Sequence, residues 1–177
     1  GLKVLDERPH RVSPPDQAPV WLHDLGMQTA LTDADVDVHG LHAVFEDAFG
    51  RIFRGEVESD DFNRLVVAAR LPAADIVVLR AYAKYLRQIG FALSQSFIEA
   101  TLAANAGIAA DRVALFKARF DPEVPGGGDD EAVARRRAVE TALEAVDNLS
   151  EDRVLRQLLA LILATTRTNV WRRDAEG

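Results

Sequence analysis

The sequence predicts a mainly α-helical, bundle-like domain with a small β element at its N-terminal end. Three observations predict it. From about Val38 onward, apolar residues recur at three-and-four spacing, the period of a helix with one buried face. Prolines, glycines and capping residues cut that pattern into helix-length pieces. The first thirty residues differ, with two short apolar runs on either side of a proline-rich stretch, as paired strands do.

The runs Leu2–Leu5 and Val20–Leu25, with Pro9, Pro14, Pro15 and Pro19 between them, predict two short strands. A lone two-stranded piece is marginal in water, so residues 1–30 read as the edge or remnant of a larger α+β unit. Residues 31–177 read as the helical domain. Leu41, Val44, Phe45, Ala48, Phe49, Ile52 and Phe53 give the first helix a strongly apolar face. Ser59 is the expected N-cap of a short helix carrying Phe62, Leu65 and Val66. Pro72 opens the next helix, Ala73 to Ile89, with Val78, Tyr82, Tyr85 and Ile89 on one side, Leu79, Ala83 and Leu86 flanking, and Gly90 as its stop.

Ser94 caps a further helix, with Leu93 and Ile98 as its hydrophobic staple. Asn105-Ala106-Gly107 breaks the pattern, and Val113, Phe116 and Phe120 mark a helix ending at Asp121-Pro122. A flexible loop is expected over 123–130, around Gly126-Gly127-Gly128. Two longer helices close the chain as an antiparallel hairpin. One runs from about Glu131 to Asn148. The other starts at Ser150, with Leu149 and Val154 as a staple, and turns Leu155, Leu158, Leu159, Ile162 and Leu163 inward.

Composition narrows the function. At 177 residues, with 48% hydrophobic and 28% charged residues, the chain is long enough to bury a core. It has no cysteine, which excludes disulfides, thiolate metal sites and cysteine nucleophiles and fits a cytoplasmic location. A net charge of −7 argues against nucleic-acid or membrane-surface partners. The longest aliphatic run, Leu158 to Ala164, is too short to span a bilayer.

Motifs for chemistry are sparse. His39 and His42 share a helical face, but zinc needs more ligands and the protease helix needs H-E-x-x-H. His23 and Asp24 are neighbours on a strand, so they point to opposite faces. Gly126–Gly128 lies between a proline and two aspartates, not in a strand-to-helix phosphate turn. No catalytic, cofactor-binding or metal-ligating residue is assigned. Arg80, Lys84 and Arg87 form a cationic stripe on one helix. Such a stripe is ordinarily a solvated face; its functional reading is a clamp for a carboxylate or a dock for an acidic surface. Arg135-Arg136-Arg137 reads the same way. Thr165 to Asn169 ends the last helix with many hydrogen-bonding side chains, as a capped helix end or a domain contact does.

Two phrases carry more information than the spacing does. One is Leu79-Arg80-Ala81-Tyr82-Ala83-Lys84-Tyr85-Leu86-Arg87-Gln88-Ile89-Gly90-Phe91, followed by Ser94 to Leu102. The other runs from Glu151-Asp152-Arg153-Val154-Leu155-Arg156 to Arg167-Thr168-Asn169-Val170-Trp171. Together they resemble the region of the large bacterial NAD-specific glutamate dehydrogenases immediately upstream of the catalytic domain. The resemblance implies that residues 1–30 end an ACT-like regulatory domain, and that Arg167, Thr168, Asn169 and Trp171 lie close to the junction with the catalytic domain. An aromatic is expected directly after that Asn, where this chain has Val170. It further implies a parent enzyme converting L-glutamate to 2-oxoglutarate and ammonia with NAD, active as a homo-oligomer. This segment would touch other domains of the same chain, hold no cofactor and be inactive alone. The alternative is a free-standing helical protein-interaction or acidic-ligand-sensing module.

Overall fold

In the computed structural model the described residues are 2–29, 38–124 and 129–172. Strands β1 (Leu2–Val12) and β2 (Val20–Thr29) pair antiparallel. Helices α1 (Val38–Phe53), α2 (Arg64–Ala68), α3 (Ala73–Gln88), α4 (Gln95–Ala104), α5 (Ala106–Phe120), α6 (Asp129–Leu143) and α7 (Leu149–Ala164) follow. The architecture is the expected one, helices around one apolar core with a two-stranded sheet ahead of them.

The strands are longer than the apolar runs indicated. β1 continues through Pro9 to Val12, because each strand of a hairpin has a free edge toward which a proline nitrogen can point. Leu5 is an extra residue at a register shift between Val4 and Asp6. Beyond the shift Asp6 faces Gly26, where a Cβ would lie 1.9 Å from Asp6 Oδ1, so the absent side chain makes room for the carboxylate. Both faces of the hairpin are largely exposed, including Val4, Trp21, Leu22 and Met27.

α1 forms where the periodicity put it, but its apolar face is only partly covered. Leu41 and Ala48 are buried, whereas Phe49 is 57% and Phe53 82% exposed. Phe45, Phe49 and Phe53 stack on one another at 6.0 and 6.2 Å between ring centroids. The expected arc is wider than the surface the core presents to it. Ser59 is not a cap. A 3-10 turn at Asp61–Asn63 leads into α2 with Asp60 at the cap position, and Phe62, Leu65 and Val66 are buried as expected.

α3 starts after Pro72 and ends at Gly90, whose φ of +80° suits a residue without Cβ. The end is a Schellman motif, with Phe91 N donating to Leu86 O and Gly90 N to Arg87 O. The face of α3 differs from the one expected. Ile76, Leu79, Arg80, Ala83 and Leu86 point inward, and Tyr85 and Ile89 are about half exposed. Residues counted as flanks are the core, because Tyr82 stands at the edge of the apolar arc with its hydroxyl beside Thr165 and Tyr85 is half exposed.

Ser94 caps α4 by accepting from Phe97 N at 3.2 Å, and α5 ends at Asp121 as expected. α6 stops at Leu143, five residues before Asn148, and packs mainly along α5, not along α7. Asn148 serves instead as N-cap of α7, its Oδ1 accepting from Ser150 N and Glu151 N. Leu149 is 83% exposed, so no staple forms with Val154. Leu155, Leu158, Leu159 and Ile162 are buried. Gly126–Gly128 lies outside the described residues.

Candidate functional site

Two arginines of α5 reach across to the backbone of α7. Arg112 and Arg119 stand two helical turns apart on α5, and both reach backbone carbonyls of α7. Arg112 Nη2 donates to Leu155 O at 2.6 Å and Nη1 to Ile108 O at 3.1 Å. Arg119 Nη1 donates to Ile162 O, and Nη2 to Thr165 O at 3.3 Å. Leu155 and Ile162 are themselves seven residues apart, so the two arginines match the repeat of the facing helix. Arg119 thereby supplies donors and positive charge to the C-terminal carbonyls of α7. Arg112 is fully buried, and its Nε has no hydrogen-bond partner. Burial lowers its guanidinium to about 10, with Asp111 acting in the opposite sense.

Beyond α7 the chain turns across the end of this pair. Trp171 stacks on Phe116 at 5.5 Å, and Phe116 meets Tyr82 edge-on at 6.1 Å. Tyr82 OH lies 2.6 Å from Thr165 Oγ1, which donates to Leu161 O. Burial raises the Tyr82 phenol, while the Thr165 hydrogen bond and Arg119 work to lower it. Between α3 and the segment 165–170 opens a cleft of about 520 Å³. Val78, Tyr82 and Tyr85 form one wall, and Arg167, Thr168 and Asn169 form the other. The residues expected at a domain junction are therefore gathered on one cleft, with Trp171 fixing the end of their segment to the core.

The cationic stripe has partners within the chain. Arg80 is 4% exposed and bidentate to Asp60, at 2.7 and 2.8 Å. It also donates to Asn63 Oδ1 and lies over the Phe62 ring. Lys84 pairs with Glu58 at the surface, and Arg87 donates to the carbonyls of Leu93 and Phe91. Each cation thus holds a neighbouring loop against α3. Arg135 and Arg136 make exposed i,i+4 pairs with Glu131 and Glu140.

The histidines do not converge. His42 lies 3.5 Å from Glu46, the His39 side chain is outside the described residues, and His23 contacts Glu7 at 2.5 Å. Among the described residues no group of three His, Cys, Asp or Glu comes together. They also do not fit NAD. A dinucleotide site needs a glycine-rich turn from strand to helix, and the connection from β2 to α1, residues 30–37, contains no glycine.

Reading the sequence missed Arg112 and Arg119. The signal was present, since both share the three-and-four pattern of Ala109, Val113 and Phe116. A cation at such a position is either a snorkelling side chain or a buried one with assigned acceptors.

Three family models match in order along the chain. The glutamate dehydrogenase ACT3 domain matches residues 1–40, glutamate dehydrogenase helical motif 3 matches 57–122, and the bacterial NAD-glutamate dehydrogenase catalytic domain matches 138–177. The NAD-specific glutamate dehydrogenases of Halomonas elongata and Pseudomonas aeruginosa are 42% and 40% identical over the whole of this chain. That of Mycobacterium tuberculosis is 41% identical over 96% of it. The chain belongs to the bacterial NAD-specific glutamate dehydrogenases.

It spans 11% of the length of each of these relatives. The catalytic-domain match begins at residue 138, ahead of the Arg167–Asn169 phrase, and so takes in α7 and the cleft-lining segment. Arg112 and Arg119 fall within the helical-motif match. The hydrogen bonds from α5 to α7 therefore join two separately matched segments inside one folded core.

Proposed function

We propose that this chain is a non-catalytic structural and regulatory segment that joins an ACT-like effector region to the catalytic domain of an NAD-specific glutamate dehydrogenase. The parent enzyme converts L-glutamate to 2-oxoglutarate and ammonia with NAD. It works in the cytoplasm as a homo-oligomer, and its nucleotide and catalytic residues lie outside this chain. The observation carrying this reading is the fastening of the helical motif to the start of the catalytic match through Arg112–Leu155 and Arg119–Ile162. A rigid joint of this kind lets the two segments move only together. Arg167, Thr168, Asn169 and Trp171 form the contact with the rest of the catalytic domain, and the exposed ends of Lys84 and Arg87 dock against another domain of the same chain.

The test is glutamate-dependent NAD reduction by the full-length protein and by this chain, side by side. Activity in the full-length protein alone is expected. Activity in neither would revive a free-standing interaction module, and activity in the chain would reveal an active site within it. Charge reversal at Lys84 and Arg87 in the full-length protein tests the docking role. An unchanged glutamate response in a folded variant would remove it.

A further inference from the structure

The cations along α3 and α5 are engaged within the chain. Arg80 and Lys84 hold carboxylates, and Arg87, Arg112 and Arg119 hold backbone carbonyls. Arg167 differs. Among the described residues its guanidinium has no carboxylate or carbonyl partner, and it lines the cleft of about 520 Å³ between α3 and residues 165–170. Among the described residues no aspartate or glutamate lines that cleft, although the chain carries 28 acidic residues and a net charge of −7.

The rest of the lining is mostly apolar. Val78 and Phe116 contribute buried surface, and Tyr85 and Val170 stand about half exposed. Thr168 Oγ1 accepts from Val170 N at 3.2 Å, which fixes the turn directly after Arg167. An apolar cleft of this size with one or two placed polar groups has the make-up of a small-ligand site. The charge pattern selects the ligand. A single guanidinium matches one carboxylate through two parallel N–H···O bonds. The cleft also opens on the C-terminal end of α7, whose carbonyls carry partial negative charge, and Arg119 is already committed to that end. A dianion such as a phosphate would meet those carbonyls with no second cation to hold it, whereas a monocarboxylate needs none.

We propose that this cleft binds a small monocarboxylate carried on an apolar body, with the carboxylate on Arg167 and the body against Val78, Tyr85 and Val170. Val78, Tyr85 and Phe116 lie in the helical-motif match and residues 165–170 in the catalytic-domain match, so the ligand is gripped from both. The site itself stands on the cleft; its place at a joint between domains rests on the family reading above.

Ligand-detected NMR titration of the full-length protein with 4-phenylbutyrate, and with its uncharged amide, tests it. The acid is expected to bind about tenfold more tightly than the amide, the margin of one hydrogen-bonded charge. Arg167→Gln is expected to bring the acid down to the level of the amide. Ala81 is exposed and lines the cleft, so Ala81→Trp is expected to abolish binding of both by filling it. No binding of the acid, equal binding of acid and amide, or unchanged binding in either variant overturns the proposal. Binding by the 177-residue chain alone assigns the cleft to the rest of the parent polypeptide and also overturns it. Loss of glutamate-dependent NAD reduction in a preparation that still binds the acid would remove the family reading and leave the site standing.

Discussion

Arg112 Nη2 donates to the backbone carbonyl of Leu155 at 2.6 Å across the buried α5–α7 contact. The acceptor is a main-chain group in the middle of a helix, so the bond fixes the position of α7 along α5 whatever side chain stands at 155. Arg112→Ala removes a charge-assisted hydrogen bond and leaves a cavity, an expected loss of about 3 kcal/mol. Arg112→Met keeps the volume of the stem and removes the buried charge, a change that is often neutral, and is expected within about 1 kcal/mol of the parent chain. Urea unfolding of both variants decides between volume and hydrogen bond, since equal losses would assign the stability to the guanidinium.

The pH dependence of that site has a definite sign. Burial lowers Arg112 from the ordinary arginine value to about 10 in the folded chain, so between the two the unfolded state binds more protons. The contribution of Arg112 to stability rises with pH in that window and is constant below it. The stability difference between the chain and Arg112→Met is therefore expected to be flat from pH 6 to 9. A slope there, measured by urea unfolding at several pH values, would show a different ionisation at the contact.

Arg80 and Lys84 lie one turn apart but differ in what their partners contribute. Asp60→Ala leaves the nearly buried Arg80 guanidinium without its bidentate carboxylate, and breaking a buried pair this way costs about 3–5 kcal/mol. Lys84→Ala breaks an exposed pair with Glu58, worth at most about 1 kcal/mol. Thermal unfolding of the two variants is expected to separate them clearly. Similar losses would mean that Asp60 is not the main support of Arg80.

Some local signals in the sequence held, although Ser59 is no cap and Leu149 forms no staple. Pro72, Gly90 and Ser94 mark helix ends through backbone geometry or a single hydrogen bond, and each acts where it was read. Which side of a helix is buried depends on its neighbours, and there α3 departed from expectation. Tyr82 and Tyr85 counted as apolar in the pattern, but the core took Leu79, Ala83 and Leu86 instead. The cleft was legible only as a list of polar residues at 165–169. Its opposite wall comes from α3, some eighty residues earlier, and no local period connects the two. Arg80 was visible as part of a cationic stripe, but its burial depends on Asp60, twenty residues away.

Asn148 and Ser150 offer a direct comparison of a capping residue with one inside the helix. Asn148 Oδ1 accepts from the amides of Ser150 and Glu151, satisfying donors at the start of α7 that lack helical partners. Asn148→Ala is expected to cost about 1 kcal/mol. Ser150 lies inside the helix and is exposed, so Ser150→Ala is expected to change stability by less than about 0.5 kcal/mol. Urea midpoints of the two variants check the order, and a reversed order would return the cap to Ser150.

Tyr82 provides an optical probe of the segment that crosses the α5–α7 end. Its phenol is raised above 10 mainly by burial, against the opposing effects of Thr165 and Arg119. An acid with a raised folded value stays protonated after the unfolded chain has begun to ionise. Its contribution to stability is thus constant below pH 10 and falls as pH rises above it. The chain has two tyrosines, so subtracting the ultraviolet titration of Tyr82→Phe from that of the parent chain isolates the Tyr82 transition. Its midpoint is expected above 10. In Thr165→Val the hydrogen bond that works to lower the phenol is lost while burial persists, so the midpoint is expected to move higher still. A downward move would mean that the 165–170 segment has come away from α3 and admitted water to the phenol.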